Sequence, residues 1–109
     1  MRSQMNTESF GKRLRDARER TEMTQKALGE KIGIASSVAS ARINRYERGT
    51  RQPSFNTLGR LAKALNISPA YFCEPDDVIA DFIYILSSMD EEQRDYALIM
   101  LMKLNGVNK

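Results

Sequence analysis

Gly29 and Gly33 stand four residues apart in Thr24-Gln25-Lys26-Ala27-Leu28-Gly29-Glu30-Lys31-Ile32-Gly33, and this spacing constrains the chain more than any other feature. Thr24 can cap a helix through its hydroxyl, and Gly33 can end it in a left-handed backbone conformation that glycine takes without penalty. Gly29, inside that helix, leaves room for another helix to cross it closely at a steep angle. A longer helix follows, capped by Ser36 or Ser37, running to about Glu47 and stopped by Gly49, with Val38, Ala39, Ile43 and Tyr46 inward.

Helical periodicity continues on either side of this pair. Phe10, Leu14 and Ala17 recur among charges from Glu8 to Arg20, with Asn6 or Thr7 as cap, and Ala27, Leu28 and Ile32 supply the buried face of the second helix. Arg51-Gln52-Pro53 reads as a turn, after which Ser54 caps a fourth helix facing inward through Leu58, Leu61, Ala62 and Leu65. Ser68-Pro69 starts a short fifth helix and Pro75 breaks the chain. Two further helices are predicted, about Asp76 to Ser87 and Asp90 to Asn105. No strand alternation occurs, so the fold class is all-α. At 109 residues the chain holds one domain and one added element. The division falls at a five-helix domain over 1–73 and a C-terminal helical pair over 74–109.

Charge separates along the same line. Residues 1–63 carry 14 Lys or Arg against 6 Asp or Glu, a net +8, while residues 64–109 carry 3 against 8, a net −5. A basic segment joined to an acidic one suits a chain whose first part alone faces a polyanion. Enzyme chemistry has no visible apparatus: there is no histidine, no phosphate-cradling glycine loop and no metal-ligand cluster, so no catalytic residue, metal or cofactor is expected. The single cysteine, Cys73, reads as a small buried hydrophobe. The longest apolar run, Ala97 to Met102, is far short of the ~20 residues that cross a bilayer, and the N-terminus has no signal-like run, which makes the cytoplasm the expected compartment.

From Phe10 to about Phe72 the sequence resembles the Cro and phage-repressor (XRE-type) helix-turn-helix family. The resemblance rests on Phe10-Gly11-Lys12-Arg13-Leu14-Arg15, Met23-Thr24-Gln25, Leu28, Tyr46-Glu47-Arg48-Gly49, Pro53-Ser54, Thr57-Leu58 and Leu61-Ala62-Lys63-Ala64-Leu65, all in the family's order. It implies a repressor-like domain that binds double-stranded DNA with its third helix in the major groove. Base-reading positions then fall on Ser40, Ala41 and Arg45, with Arg42 adjacent. An arginine there can donate two hydrogen bonds to guanine, and the Ala41 methyl can pack on thymine. Gln25 matches a residue that holds a phosphate and braces the recognition helix. Arg48, Thr50 and Arg51, in the following loop, match phosphate contacts, and Arg18 and Glu47 match a structural ion pair.

Two departures stand out. Thr21-Glu22 replaces the family's usual glycine before the second helix, so that turn uses a non-glycine residue or another geometry. Gly33 to Tyr46 spans 13 residues where the family has about nine; the additional four make about one helical turn. That turn lengthens the recognition helix around Ile34 to Val38, bringing Ser36 and Ser37 to DNA, or it enlarges the preceding loop.

The last helix, with Tyr96 to Met102 and Leu104 almost wholly apolar, needs burial on several sides. A twofold homodimer through Phe82, Ile83, Leu86, Tyr96, Ile99, Met100 and Met102 would supply it. An intramolecular cap on the five-helix core would also do so. A protein partner at the same helices defines the alternative reading, a DNA-binding antitoxin. A partner-binding module that no longer reads DNA fits the basic segment less well.

Overall fold

The computed structural model describes residues 7–106, and these form seven helices. They are α1 (Thr7–Arg20), α2 (Gln25–Lys31), α3 (Ser36–Arg48), α4 (Phe55–Ala64), α5 (Ala70–Cys73), α6 (Asp77–Ser87) and α7 (Glu91–Leu104). No strand occurs among the described residues, in keeping with an all-α fold.

Local chemistry sets most of the helix starts. The Thr24 hydroxyl accepts from the Ala27 amide and Ser54 from Thr57, while the Asp76 carboxylate accepts from Val78 and Ile79. Asp90 and Gln93 close a reciprocal capping box on α7. Each such cap contributes about 1 kcal/mol. Gly49 ends α3 in the left-handed region at φ 75°. Two expected caps differ. Thr7 already lies within α1, and Asn6 lies outside the described residues. Neither Ser36 nor Ser37 caps α3, because Ala35 occupies the cap position and makes no side-chain bond there. The Ser36 hydroxyl instead donates to the Glu30 carboxylate on α2, and a charged acceptor outcompetes a backbone partner.

The core joins α1 to α5 and takes in Ala80 of α6. Phe10, Leu14 and Ala17 of α1 share one cluster with Leu28, Ile32, Ile43, Tyr46, Leu58, Leu61, Leu65 and Phe72. The Phe10 and Phe72 rings pack edge to face, with centroids 5.3 Å apart. Three residues expected inside are exposed: Ala27, Val38 and Cys73. Val38 precedes Ile43 by five residues, which at 100° per residue turns it well away from the buried stripe. Cys73 ends the four-residue α5; partial burial pushes its thiol pKa up.

The acidic start of α6 is strapped to basic α1. Arg13, only 4% exposed, donates to the carbonyls of Glu74 and Pro75 and pairs with Asp77 at 2.9 Å. Lys12 reaches the same carboxylate, and Arg20 pairs with Asp81 while lying over the Tyr84 ring at 4.1 Å. The Arg13 bond, then that of Lys12, holds the Asp77 carboxyl below its ordinary range. A carboxylate lowered in this way contributes fully above its ordinary pKa, and the contribution is lost only as pH falls through the lowered one.

The turn before α2 takes the non-glycine route. Glu22 sits at φ 58°, in the left-handed region that costs a side chain about 1–2 kcal/mol. It is exposed, so Glu22→Gly should relieve that strain and raise the melting temperature by about 4 °C. An unchanged or lower midpoint in a thermal melt would show that Glu22 is held there without strain.

Candidate nucleic-acid interface

Gly29 lets α2 and α3 cross tightly, since a Cβ built on it would lie 2.7 Å from that of Ala39. Gly33 turns the chain at φ 93°, and the Ile34 amide donates back to the Gly29 carbonyl at 2.9 Å. Helix α3 then starts at Ser36, so the additional turn lengthens the helix and leaves the connection short.

Ser37, Ala41, Asn44 and Arg48 follow one another at helical spacing on the side of α3 opposite Ala39, Ile43 and Tyr46. Arg45 is exposed beside them. Asn44 is a residue that sequence reasoning missed; its spacing of three from Ala41 and four from Arg48 was the available signal. Arg48 is the last residue of α3, whereas the sequence placed it in the loop. Thr50 and Arg51 are exposed in that loop, and their amides donate to the Arg45 carbonyl at 3.0 and 3.3 Å.

Ser36 and Arg42 point elsewhere, and Ser40 lies at the edge of the face beside α2. The Ser36 hydroxyl is engaged with Glu30 of α2. Ser40 stays exposed, and its hydroxyl donates to Gln25 Oε1 at 3.3 Å. Arg42 is half-buried on the flank that faces Thr57 and Arg60 of α4.

Behind the outward face lies a polar brace. Gln25, first residue of α2, donates through Nε2 to Asn44 Oδ1 at 3.2 Å and to Glu47 Oε1 at 3.1 Å. Arg18 grips the same glutamate twice, Nε to Oε2 at 2.6 Å and Nη2 to Oε1 at 3.2 Å, and donates to the Met23 carbonyl at 2.9 Å. The hydrogen bond to Glu47 raises the Arg18 pKa against the opposing effect of burial. The Arg18, Glu47 and Gln25 side chains thus lock α1, α2 and α3 together beneath the exposed surface.

The HTH_3 family model, described as helix-turn-helix, matches residues 14–72. The chain belongs to this helix-turn-helix family. Among similar members, the Repressor protein C2 of Salmonella phage P22 is 36% identical over 95 residues, covering 87% of this chain and 41% of the relative. The HTH-type transcriptional regulator ImmR of Bacillus subtilis (strain 168) is 37% identical over 70 residues, 64% of this chain and 52% of that protein. The chain therefore spans about half the length of these curated relatives. The crystal structure of transcriptional regulator BswR superposes with a TM-score of 0.80 at 35% identity, covering 85% of this chain and 92% of that one. The match to BswR covers more of this chain than the family model's 14–72.

The C-terminal helices present an apolar surface. Phe82, Tyr96, Ile99 and Met100 are exposed, whereas Leu86 and Met102 are half-buried and Ile83 packs against the chain's own core. Val78, Ile79, Ile85, Leu98, Leu101 and Leu104, outside the set expected at the dimer interface, are exposed as well. No residue of α7 is buried, so an intramolecular cap is absent among the described residues. No helix of the described residues is long and apolar enough to cross a membrane.

Proposed function

We propose that this chain is a sequence-specific regulator of transcription, a phage-type or prophage-type repressor acting in the cytoplasm, which binds a twofold-symmetric operator in double-stranded DNA as a homodimer. The braced outward face of α3 carries the proposal: exposed donors on a helix whose orientation is fixed from behind suit base reading in a major groove. Arg45 reads guanine through O6 and N7, Ala41 packs on a thymine methyl, and Ser37, Ser40 and Asn44 make adaptable contacts. Arg48, Thr50 and Arg51 hold phosphates, which fix register. The names of relatives support the reading, since phage P22 C2 and RstR of Vibrio cholerae are both called repressors.

The homodimer draws support from the α6 and α7 surface, where a second copy would cover Phe82, Tyr96, Ile99 and Met100. Two recognition helices would then sit about one DNA turn apart, ~34 Å. Light scattering on the purified chain is expected to give twice its 12.4 kDa. A monomer at micromolar concentration would remove the dimer.

Selection of bound duplexes from a random pool at two salt concentrations tests the whole reading, because salt separates phosphate attraction from base reading. A symmetric consensus is expected at both, and Arg45→Ala should relax one position in each half-site, weakening binding by about 10- to 100-fold for each half-site. Binding without a consensus, vanishing as salt rises, would overturn sequence-specific regulation and direct attention to a protein partner on α6 and α7.

A further inference from the structure

Helix α6 is fixed to the body of the protein on one side and open on the other. Ala80 is buried and Ile83 and Tyr84 pack against the core, whereas Val78, Phe82 and Ile85, on the opposite side of the helix, are exposed. Arg13 of α1 governs how the chain enters this helix. All three of its guanidinium nitrogens find acceptors on the segment that leads from α5 into α6: Nε donates to the Glu74 carbonyl at 3.0 Å, Nη2 to the Pro75 carbonyl at 3.3 Å, and Nη1 pairs with the Asp77 carboxylate at 2.9 Å. The side chain is buried, which shields these bonds from water. A second tie lies two turns further along α1, where Arg20 pairs with Asp81 at 3.4 Å and covers the Tyr84 ring.

What the Arg13 fork supplies is direction. Three acceptors spread along the linker are met by one planar group in only one path of the chain, and the fixed φ of Pro75 narrows that path further. Helix α1 is in turn locked to α3 through Arg18 and Glu47. The recognition helix and the open face of α6 therefore belong to one rigid frame. We propose that Arg13 is a positioning residue for the operator: by fixing α6 to α1 it sets the separation of the two recognition helices, so that the regulator accepts one spacing of half-sites and rejects its neighbours. This role rests on the homodimer reading, in which the open face of α6 meets a second copy. Inserting two base pairs moves one half-site by about 7 Å and turns it by about 70° around the DNA axis. A frame held by Arg13 does not follow that change, whereas an α6 hinged at residues 74–76 does.

The test measures binding of the full chain to duplexes that carry its selected half-sites at the preferred spacing and at spacings two base pairs longer and shorter. The native chain is expected to favour its own spacing by about 100-fold. In Arg13→Met, which keeps an apolar stem and removes the fork, the preference should fall to about tenfold or less with the half-site consensus unchanged, and Arg13→Lys, which keeps the charge, should recover part of it. A purely structural role would weaken binding at every spacing alike; a preference that survives in Arg13→Met would overturn the proposal. Should Arg13→Met fail to fold, Asp77→Asn with Asp81→Asn, both at exposed positions, loosens the same ties from the side of α6. A second measurement needs neither DNA nor a second copy. Spin labels on Ser37→Cys and Ser88→Cys, exposed on α3 and at the end of α6, report the distance within one chain, in a Cys73→Ser background diluted into unlabelled chain. A narrow distribution is expected in the native chain and a broad one in Arg13→Met; equal widths would overturn the proposal. If the regulator reading fails, this distance still decides whether Arg13 fixes α6, so the two failures remain distinguishable.

Discussion

Arg18→Ala is expected to cost the fold about 3–5 kcal/mol, read as a lower denaturant midpoint at unchanged slope. The side chains of Arg18 and Glu47 are 13% and 5% exposed, so the truncation leaves a carboxylate enclosed with Gln25 as its only partner among the described residues. It also frees the Met23 carbonyl that closes the turn before α2. Most of the loss is the penalty of the stranded charge. Arg18→Met with Glu47→Leu should accordingly recover much of the stability that either change alone destroys. Arg18 titrates above its ordinary value, and a raised cation contributes fully below that ordinary value, so the pair holds across the neutral range. DNA affinity should fall with stability in Arg18→Ala, because Glu47 then loses its hold on α1 and α3 loses its brace. A melting temperature unchanged within 2 °C would remove the structural role assigned to the pair.

Gly11→Ala should destabilise by about 3 kcal/mol, opposite in sign to helix propensity. In the interior of a helix, alanine is favoured over glycine by about 1 kcal/mol. At Gly11, however, a Cβ would fall onto the carbonyl oxygen of Glu47 and lie 2.9 Å from its carbonyl carbon and 3.1 Å from the Tyr46 oxygen. All three are backbone atoms, so relief requires α1 and α3 to part, opening the core at Phe10 and Tyr46. Gly59 provides the contrast within the same molecule: it lies in α4 with open space where its Cβ would be, and Gly59→Ala should stabilise by about 1 kcal/mol. Chemical denaturation of both variants checks the pair; stabilisation by both would show that the α1–α3 contact yields.

Helix number, order and most ends were legible because they rest on short-range chemistry. Thr24, Ser54, Asp76 and Asp90 cap their helices through neighbours two or three residues away, which a linear sequence displays. What escaped depends on contacts between distant segments. Glu30 drew Ser36 away from capping α3, and nothing near Ser36 in the chain announced that rival. Gly11 gave no local sign of its close approach to Glu47. The charge division was legible but overstated as a statement about partners, because Lys12, Arg13 and Arg20 are paired within the molecule to Asp77 and Asp81. Of the candidate DNA contacts, Ala41, Arg45, Arg48, Thr50 and Arg51 are exposed, while Arg42 lies on a flank because, four residues before Tyr46, it borders the buried stripe of the helix.

Helix α7 has fourteen residues and not one of them is buried. Its ends are well made, with a capping box at one and Lys103 in the last turn at the other, yet a helix of that length is marginal in water by itself. In the proposed homodimer its order would rest on the second copy that covers Tyr96, Ile99 and Met100. As the protein is diluted, the C-terminal segment should fray before the rest loosens, and its helicity should return as protein concentration rises. Helix α7 would then act as a gauge, turning the abundance of the proposed second copy into the presence or absence of four turns of helix.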